Sequence, residues 1–120
     1  MDDEKYLPAF QLIEHAGDAE SDFMLCMEKA QEEDYAAAQE EYDKGCAALK
    51  EAHQLQTDMM QNEANGEPVD INVIMVHAQD HLAMAILLKN QAAQIMALCK
   101  KITALTEKPL RIKKRRRLSC

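Results

Sequence analysis

Two histidines and an aspartate lie close together in the stretch VHAQDHL (76–82), within an otherwise apolar run. Residues at positions i, i+3 and i+4 share one face of an α-helix, so His77, Asp80 and His81 are predicted to point the same way. If that face is buried, three ionisable groups stand where apolar side chains would be more stable. A chain that accepts this cost is expected to use the cluster for chemistry.

Three interpretations fit the cluster. A neutral imidazole is a good nucleophile near neutral pH, so one histidine can take up a phosphoryl group while the second hydrogen-bonds the phosphoryl oxygens. Alternatively, the three residues can bind a transition metal, in a pattern similar to inverted zinc-hydrolase motifs but without their glutamate, with His15 or His53 as a further ligand. The third interpretation is a satisfied polar cluster inside a helical bundle. The residues alone leave all three open.

Three segments with helical periodicity must position this cluster. The first runs from about Leu7 to Gln31, and its periodic apolar positions, beginning at Phe10, predict the face that packs on the core. The second runs from Asp34, a suitable N-cap, to about Asn65. The third runs from about Asn72 to Glu107, because Asn-Gly and Pro in NGEP (65–68) end the second segment and Pro109 breaks the third. Short connections then predict an all-α fold, an antiparallel up-down-up three-helix bundle.

Individual residues within these segments predict how the helices pack. Gly17 interrupts the first helix and predicts close packing against a neighbour. His15 is predicted to be structural, and His53, in EAHQLQT with Gln56 beside it, is expected to pack or hydrogen-bond between helices. The third segment is apolar on several faces, as INVIMV (71–76) illustrates. Because two neighbours cannot cover such a helix, we expect the subunit to form a homo-oligomer.

Composition limits the class of protein. All 21 acidic residues and seven of the 14 basic ones lie within residues 1–107, whereas residues 108–120 hold the other seven basic residues and no acid. We therefore predict one acidic domain over 1–107 and a disordered basic tail over 108–120, with no nucleic-acid partner. The acidic N-terminus is unlike a signal peptide, and no apolar run reaches the roughly 18 residues of a membrane span, which predicts a cytoplasmic protein. The absence of a Walker-type sequence argues against a nucleotide-dependent kinase.

Several motifs together resemble one protein family. They are HAGDAESD (15–22), DYAAAQEEYDKGCAALKEAHQLQT (34–57) and, above all, IMVHAQDHLAMAILLK (74–89). Over about residues 10–106 the chain is similar to the lactose/cellobiose-type enzyme IIA of the bacterial phosphoenolpyruvate-dependent sugar phosphotransferase system. The block HxQDHL on a helix with EAHxxQT upstream is the most specific part of this resemblance.

The resemblance implies a function for the cluster. Members of this family are three-helix subunits that form homotrimers and are phosphorylated on the first histidine of HxQDH, here His77. The phosphoryl group comes from HPr and passes to a cysteine of enzyme IIB, and His81 is expected to hydrogen-bond it. Asp80 would lie near the trimer axis and hold a metal ion, for which Mg²⁺ suits a set of carboxylate oxygens. Contact with the membrane would be indirect, through the IIC permease, and the sugar would be a β-linked disaccharide of the lactose, cellobiose or chitobiose class.

The chain also departs from the family pattern. Many members have arginine where this chain has Glu20, and many have Met-Thr where this chain has Ala83 and Met84. The basic tail is not expected from the family either. These departures motivate a second hypothesis, a helical homo-oligomeric interaction or regulatory protein that keeps the fold without transferring phosphoryl groups.

Overall fold

The structure, a computed structural model, describes residues 3–106. A short 3₁₀ helix, Asp3–Tyr6, leads into three long helices: α1 (Leu7–Gln31), α2 (Tyr35–Ala64) and α3 (Val73–Leu105). The described residues contain no strand, so the prediction of an all-α three-helix fold is confirmed. The predicted basic tail lies outside the described residues.

Local sequence signals place the helix ends. The carboxylate of Asp34 accepts a hydrogen bond from the backbone N–H of Ala37 at 3.1 Å, and thereby caps α2 as predicted. The side chain of Asn72 caps α3 in the same way, through the N–H of Met75 at 2.9 Å. The turn between α1 and α2 places Glu33 at φ 63°, in the left-handed region that favours glycine. The observed bounds agree with the predicted ones to within about two residues.

Contacts between the helices fix an up-down-up arrangement. The first residue of α2, Tyr35, hydrogen-bonds Thr103 near the end of α3 at 2.6 Å. Gln56, late in α2, reaches Gln79, early in α3, so these helices are antiparallel. Helix α1 packs extensively against both other helices, whereas α2 and α3 touch each other much less. The Cα atoms span 61 × 28 × 16 Å, so the helices form an elongated and rather flat subunit.

The core is built largely from small side chains. Nine of its eighteen buried apolar residues are alanines. The largest fully buried side chains are those of Phe23, Leu12 and Leu82. Small side chains allow helix axes to approach closely, which compensates for the scarcity of aromatic residues. Phe10, expected from the periodicity to face the core, is 54 % exposed. The buried face of α1 instead follows Ala9, Leu12, Ala16, Ala19 and Phe23.

Close packing at a glycine occurs at a different position from the one predicted. A Cβ atom added at Gly17 would meet no heavy atom within 4 Å among the described residues, so the expectation for this glycine is wrong. A Cβ atom added at Gly45 of α2 would lie 2.6 Å from the ring of Phe23. Gly45 therefore provides the space in α2 that the largest core side chain of α1 occupies.

One face of α3 is left uncovered by the other two helices. It carries three groups of apolar side chains, spaced three or four residues apart within each group: Val73 and Val76; Met84 and Leu87; and Leu98, Ile102 and Leu105. We call these seven residues the α3 stripe. Their exposed fractions range from 43 % to 85 %. The stripe agrees with the expectation that α3 has more apolar surface than two neighbours can cover.

Helix α3 is more apolar on average than the sequence analysis expected. By length and composition this helix is capable of crossing a membrane, with a mean hydropathy of 1.4 in its most apolar 18-residue window and 22 % of that window buried. The expectation that no uninterrupted apolar run is long enough for a span still holds, because Asp80 and Lys89 interrupt this helix, but its mean hydropathy is higher than that expectation implied. Composition alone is weak evidence for a span, since helices that bury apolar faces in protein pass the same test.

Candidate functional site

The two histidines of the motif form a pair on α3. Their Nε2 atoms are 3.0 Å apart, which is hydrogen-bonding distance, and the ring centroids are 4.5 Å apart with the rings nearly perpendicular. His77 and His81 are separated by one helical turn, so local helix geometry is sufficient to bring them together. One shared proton lies between the two nitrogens, and its position depends on the protonation of each ring.

A residue from α1 completes the cluster. Oε1 of Glu20 lies 2.7 Å from Nδ1 of His81, and the two side chains are only 19 % and 23 % exposed. The three side chains thus form a chain of hydrogen bonds, from Glu20 through His81 to His77. Sequence analysis noted Glu20 only as a departure from the family pattern. Its role as a partner of His81 depends on how α1 is aligned against α3.

Asp80 does not join the hydrogen-bonded cluster, although it lies within one turn of both histidines on α3. At 3.6 residues per turn, positions i+3 and i+4 lie about 60° and 40° from position i, on opposite sides. His81 therefore turns toward α1, whereas Asp80 turns away. Asp80 is exposed, and within the described part of the chain it makes no hydrogen bond or ion pair.

The motif residues are not fully buried in the subunit. His77 is exposed and His81 is partly buried in the subunit. The subunit therefore does not bear the full cost of burying three ionisable groups. An exposed His77 ring is accessible to a second protein, as a reactive or recognition group must be.

A hydrogen bond between α2 and α3 supports the motif from the other side. The amide of Gln56 donates to the side-chain oxygen of Gln79 at 2.7 Å, and Gln79 in turn approaches the sulfur of Met75 at 3.7 Å. The expected interhelical role in EAHQLQT thus belongs to Gln56 rather than to His53, which is exposed. This bond joins two of the motifs on which the family resemblance was based.

An open groove of about 540 Å³ lies between α1 and α3 beside the cluster. Glu20 belongs to its wall, and the other lining residues are Ser21, Met24, Leu25, Glu28 and Leu88. Met24 is 52 % exposed, so apolar surface is available next to the histidine pair. The groove offers a mixed polar and apolar surface to a partner.

Over its described residues, the structure supports neither a reactive thiol nor a metal site within one subunit. Burial raises the pKa of the Cys26 and Cys99 thiols, so both are protonated and poor nucleophiles near neutral pH. Among residues 3–106 no three His, Cys, Asp or Glu side chains are grouped so that one chain could hold a metal ion. His15 and His53 do not approach the pair as further ligands.

A family model decides the identity of the chain. The model for the lactose/cellobiose-specific IIA subunit of the phosphotransferase system (PTS) matches residues 8–100. This range contains the whole histidine cluster and all three long helices, apart from the first residue of α1 and the last five residues of α3. The chain belongs to this family. The resemblance proposed from the motifs is confirmed, and PTS enzyme IIA subunits are phosphotransferase components.

Individual relatives agree with this assignment. The chain is 39 % identical over 103 residues to a lichenan-specific phosphotransferase enzyme IIA component of Bacillus subtilis (strain 168), covering 86 % of this chain and 94 % of that protein. It is 35 % identical over 99 residues to a lactose-specific EIIA component of Staphylococcus aureus (strain N315), covering 82 % and 96 %. The crystal structure of the cellobiose-specific enzyme IIA from Bacillus anthracis superposes with a TM-score of 0.81 at 41 % identity, over 83 % of this chain and 92 % of that one.

Proposed function

We propose that this enzyme IIA is a phosphocarrier that accepts a phosphoryl group from phospho-HPr on His77 and passes it to the cysteine of an enzyme IIB. It would act in the uptake of a β-linked disaccharide of the lactose, cellobiose or chitobiose class. The observation that carries the proposal is the exposed ring of His77, whose Nε2 faces a second histidine that is held in place from behind.

Loading is a direct transfer between two histidines. A lone pair on a ring nitrogen of neutral His77 attacks the phosphorus, a new N–P bond forms, and the N–P bond to the HPr histidine breaks, leaving its electron pair on that ring. The protein's contribution is mainly placement and charge stabilisation, because phosphoryl transfer requires little covalent chemistry from its surroundings. His81, when it is protonated on both ring nitrogens, donates Nδ1–H to Glu20 and Nε2–H to a phosphoryl oxygen. In the second transfer, the IIB thiolate attacks the phosphorus and His77 leaves as the neutral ring.

The surroundings suit docking of a protein partner and protection of the phosphoryl group. The groove beside the cluster combines apolar side chains, such as Met24 and Leu88, with the hydroxyl of Ser21. A docked partner would cover the exposed His77 and keep water away from a labile phosphoramidate. Cytoplasmic HPr and IIB would both reach this face, and the membrane would enter only through the IIC permease. Polar groups at His77, Asp80 and His81 make α3 a poor membrane span, which favours a cytoplasmic location.

The α3 stripe supports assembly as a homotrimer. Its apolar side chains form three groups that lie on one face of α3, and within each group they have the three- or four-residue spacing of a coiled-coil seam. Three copies of the subunit packed along this stripe would bury the surface that α1 and α2 leave exposed. His77 lies at the edge of this stripe, four residues after Val73 and seven before Met84, so the histidine chain would lie beside the trimer interface and extend from it toward α1.

Asp80 fits a metal position in such a trimer. Its carboxylate is exposed, has no partner within the described residues of its own subunit, and lies on the same side of α3 as the stripe. Three copies would bring three carboxylates together, and their oxygens with water suit a hard divalent cation such as Mg²⁺. The cation would neutralise charges that otherwise repel one another, and would be structural.

The competing hypothesis is an interaction protein that retains the fold without phosphoryl transfer. Glu20, Ala83 and Met84 motivate it, because they replace residues common in the family. The histidine chain favours the carrier, since a purely structural cluster does not require an exposed nucleophile.

Incubation with phosphoenolpyruvate, enzyme I and HPr, followed by intact mass spectrometry, tests the proposal. We expect each subunit to gain one phosphoryl group that is lost in acid and is stable in base. A chain that gains none, while a known enzyme IIA in the same mixture is labelled, would establish the interaction protein instead.

A further inference from the structure

Glu20 is the one charged residue that α1 directs at the histidine pair. Its carboxylate lies 2.7 Å from Nδ1 of His81 across the α1–α3 interface, and both side chains are mostly shielded from solvent. The other group facing His81 is His77 on its own helix. From α2, Gln56 bonds Gln79 rather than either histidine.

This contact determines how the His81 ring is presented. An ionised carboxylate can only accept hydrogen bonds, so Nδ1 of His81 must carry the proton that it donates to Glu20. Nε2 is then fixed on the opposite edge of the ring, 3.0 Å from Nε2 of His77. Without an acceptor on α1, rotation about the Cβ–Cγ bond would let the ring present either nitrogen.

The two histidines differ in their freedom to move. His81 is held on both ring edges and is partly buried, whereas His77 is exposed and its only described polar contact is with His81. A phosphoryl group on Nε2 of His77 would not fit into the 3.0 Å between the two rings. The His77 ring must therefore turn outward when it is loaded at that nitrogen, while His81 stays in place.

We propose that Glu20 is a positioning residue for phosphoryl transfer: it accepts a hydrogen bond from Nδ1–H of His81 and thereby fixes the ring so that, when the ring is protonated on both nitrogens, Nε2–H is presented to the phosphoryl group on His77. This inference rests on the proposed function, since it assigns Glu20 a role in that transfer. The carbonyl oxygen of a glutamine at this position can replace the carboxylate as acceptor, whereas a methionine of similar length cannot. An arginine, which many family members carry here, is a donor only and cannot make the same contact.

The test uses the full chain with Glu20→Gln and Glu20→Met, and measures the rate of single-turnover loading from phospho-HPr. We expect Glu20→Gln to retain the wild-type rate within about threefold and Glu20→Met to lose roughly 10- to 100-fold, the range seen when an orienting partner is removed. Glu14→Met is the matched control, because Glu14 is an exposed carboxylate on the same helix. Glu20→Ala provides a second variant without an acceptor, in case the methionine disturbs packing.

Nitrogen-15 NMR of the imidazole rings supplies a readout that a merely structural role would not change. Wild type and Glu20→Gln should show His81 protonated at Nδ1, and Glu20→Met should show a mixture, while thermal melts of all variants remain similar. Wild-type loading rates in both acceptor-free variants would overturn the inference, as would equal slowing in Glu20→Gln and Glu20→Met with an unchanged ring. If the wild type itself takes no phosphoryl group, the proposed function fails, and the NMR arm still decides whether Glu20 fixes the ring.

Discussion

At the scale of single residues, the site is a chain of three side chains with different roles. His77 is exposed and able to react, His81 is partly buried and directs an Nε2 atom at it, and Glu20 orients His81 from another helix. Carboxylate–histidine contacts of this kind fix a ring and its tautomer wherever histidines do chemistry. Asp80, although it belongs to the same motif, turns away from α1 and makes no hydrogen bond with either histidine.

His77→Ala should abolish phosphoryl labelling by phospho-HPr, because the exposed ring nitrogen is the proposed acceptor. Helicity by circular dichroism should be unchanged, since an exposed histidine contributes little to the core. His81→Ala is the matched variant, and it should still be labelled but roughly 100- to 1,000-fold more slowly, as when one stabilising hydrogen-bond donor is lost. Labelling that persists in His77→Ala and vanishes in His81→Ala would reverse the assignment of the acceptor.

At the scale of helices, the alignment of α1 is decisive. It is the only one of the three long helices that packs extensively against both others, and it contributes Glu20 to the site and Phe23 to the core. The ring of Phe23 occupies the space that Gly45 leaves open in α2, and contacts Tyr42 at a centroid distance of 5.6 Å. Phe23 lies less than one turn beyond Glu20 on α1. The packing of the Phe23 ring against α2 therefore also fixes the position of Glu20 along the axis of α3.

Gly45→Ala should destabilise the subunit. Its Cβ would lie 2.6 Å from a rigid buried ring, and overpacking of this kind costs about 1–3 kcal/mol. Gly17→Ala is the control within α1, because its Cβ would meet nothing within 4 Å and should stabilise the helix by about 0.5–1 kcal/mol. Urea unfolding measures both effects. Equal stability of the two variants would contradict the close approach of α1 and α2.

At the scale of the whole molecule, the histidine chain lies along one edge of the α3 stripe. His81 and Glu20 extend from that edge toward the groove between α1 and α3, whereas Asp80 lies within the stripe. A homotrimer built on the stripe would bury its apolar surface and keep three reactive sites accessible. The overall acidity of residues 1–107 suits a basic partner that approaches those sites.

Asp80→Leu should keep the trimer and raise its melting temperature, because three like charges at an axis are replaced by apolar contacts. Replacing buried charged clusters by apolar side chains is often neutral or stabilising by about 1–4 kcal/mol. The wild type should gain stability from added Mg²⁺ and lose it with EDTA, whereas the variant should respond to neither. Asp58→Leu, an exposed carboxylate on α2, is the control.

Sedimentation and thermal melts with and without chelator measure these effects. A monomeric Asp80→Leu protein, or a wild type that is indifferent to Mg²⁺ and EDTA, would show that Asp80 does not meet its copies at an axis.

The sequence by itself determined the features that depend on neighbouring residues. Helix bounds followed from Asp34, Asn65 and Pro68, because caps and breakers act over a few residues. The pairing of His77 with His81 followed from helical periodicity, and the specific block HAQDHL led to the correct family.

Only the tertiary structure decided contacts between distant parts of the chain. Glu20 and His81 are 61 residues apart, and Gln56 and Gln79 are 23 apart, so both contacts depend on the relative alignment of whole helices. Helical periodicity predicts that a face is apolar, but not which neighbour covers it or at what height. For the same reason the sequence misplaced the close glycine and the buried face of α1, and did not identify the carboxylate that orients His81.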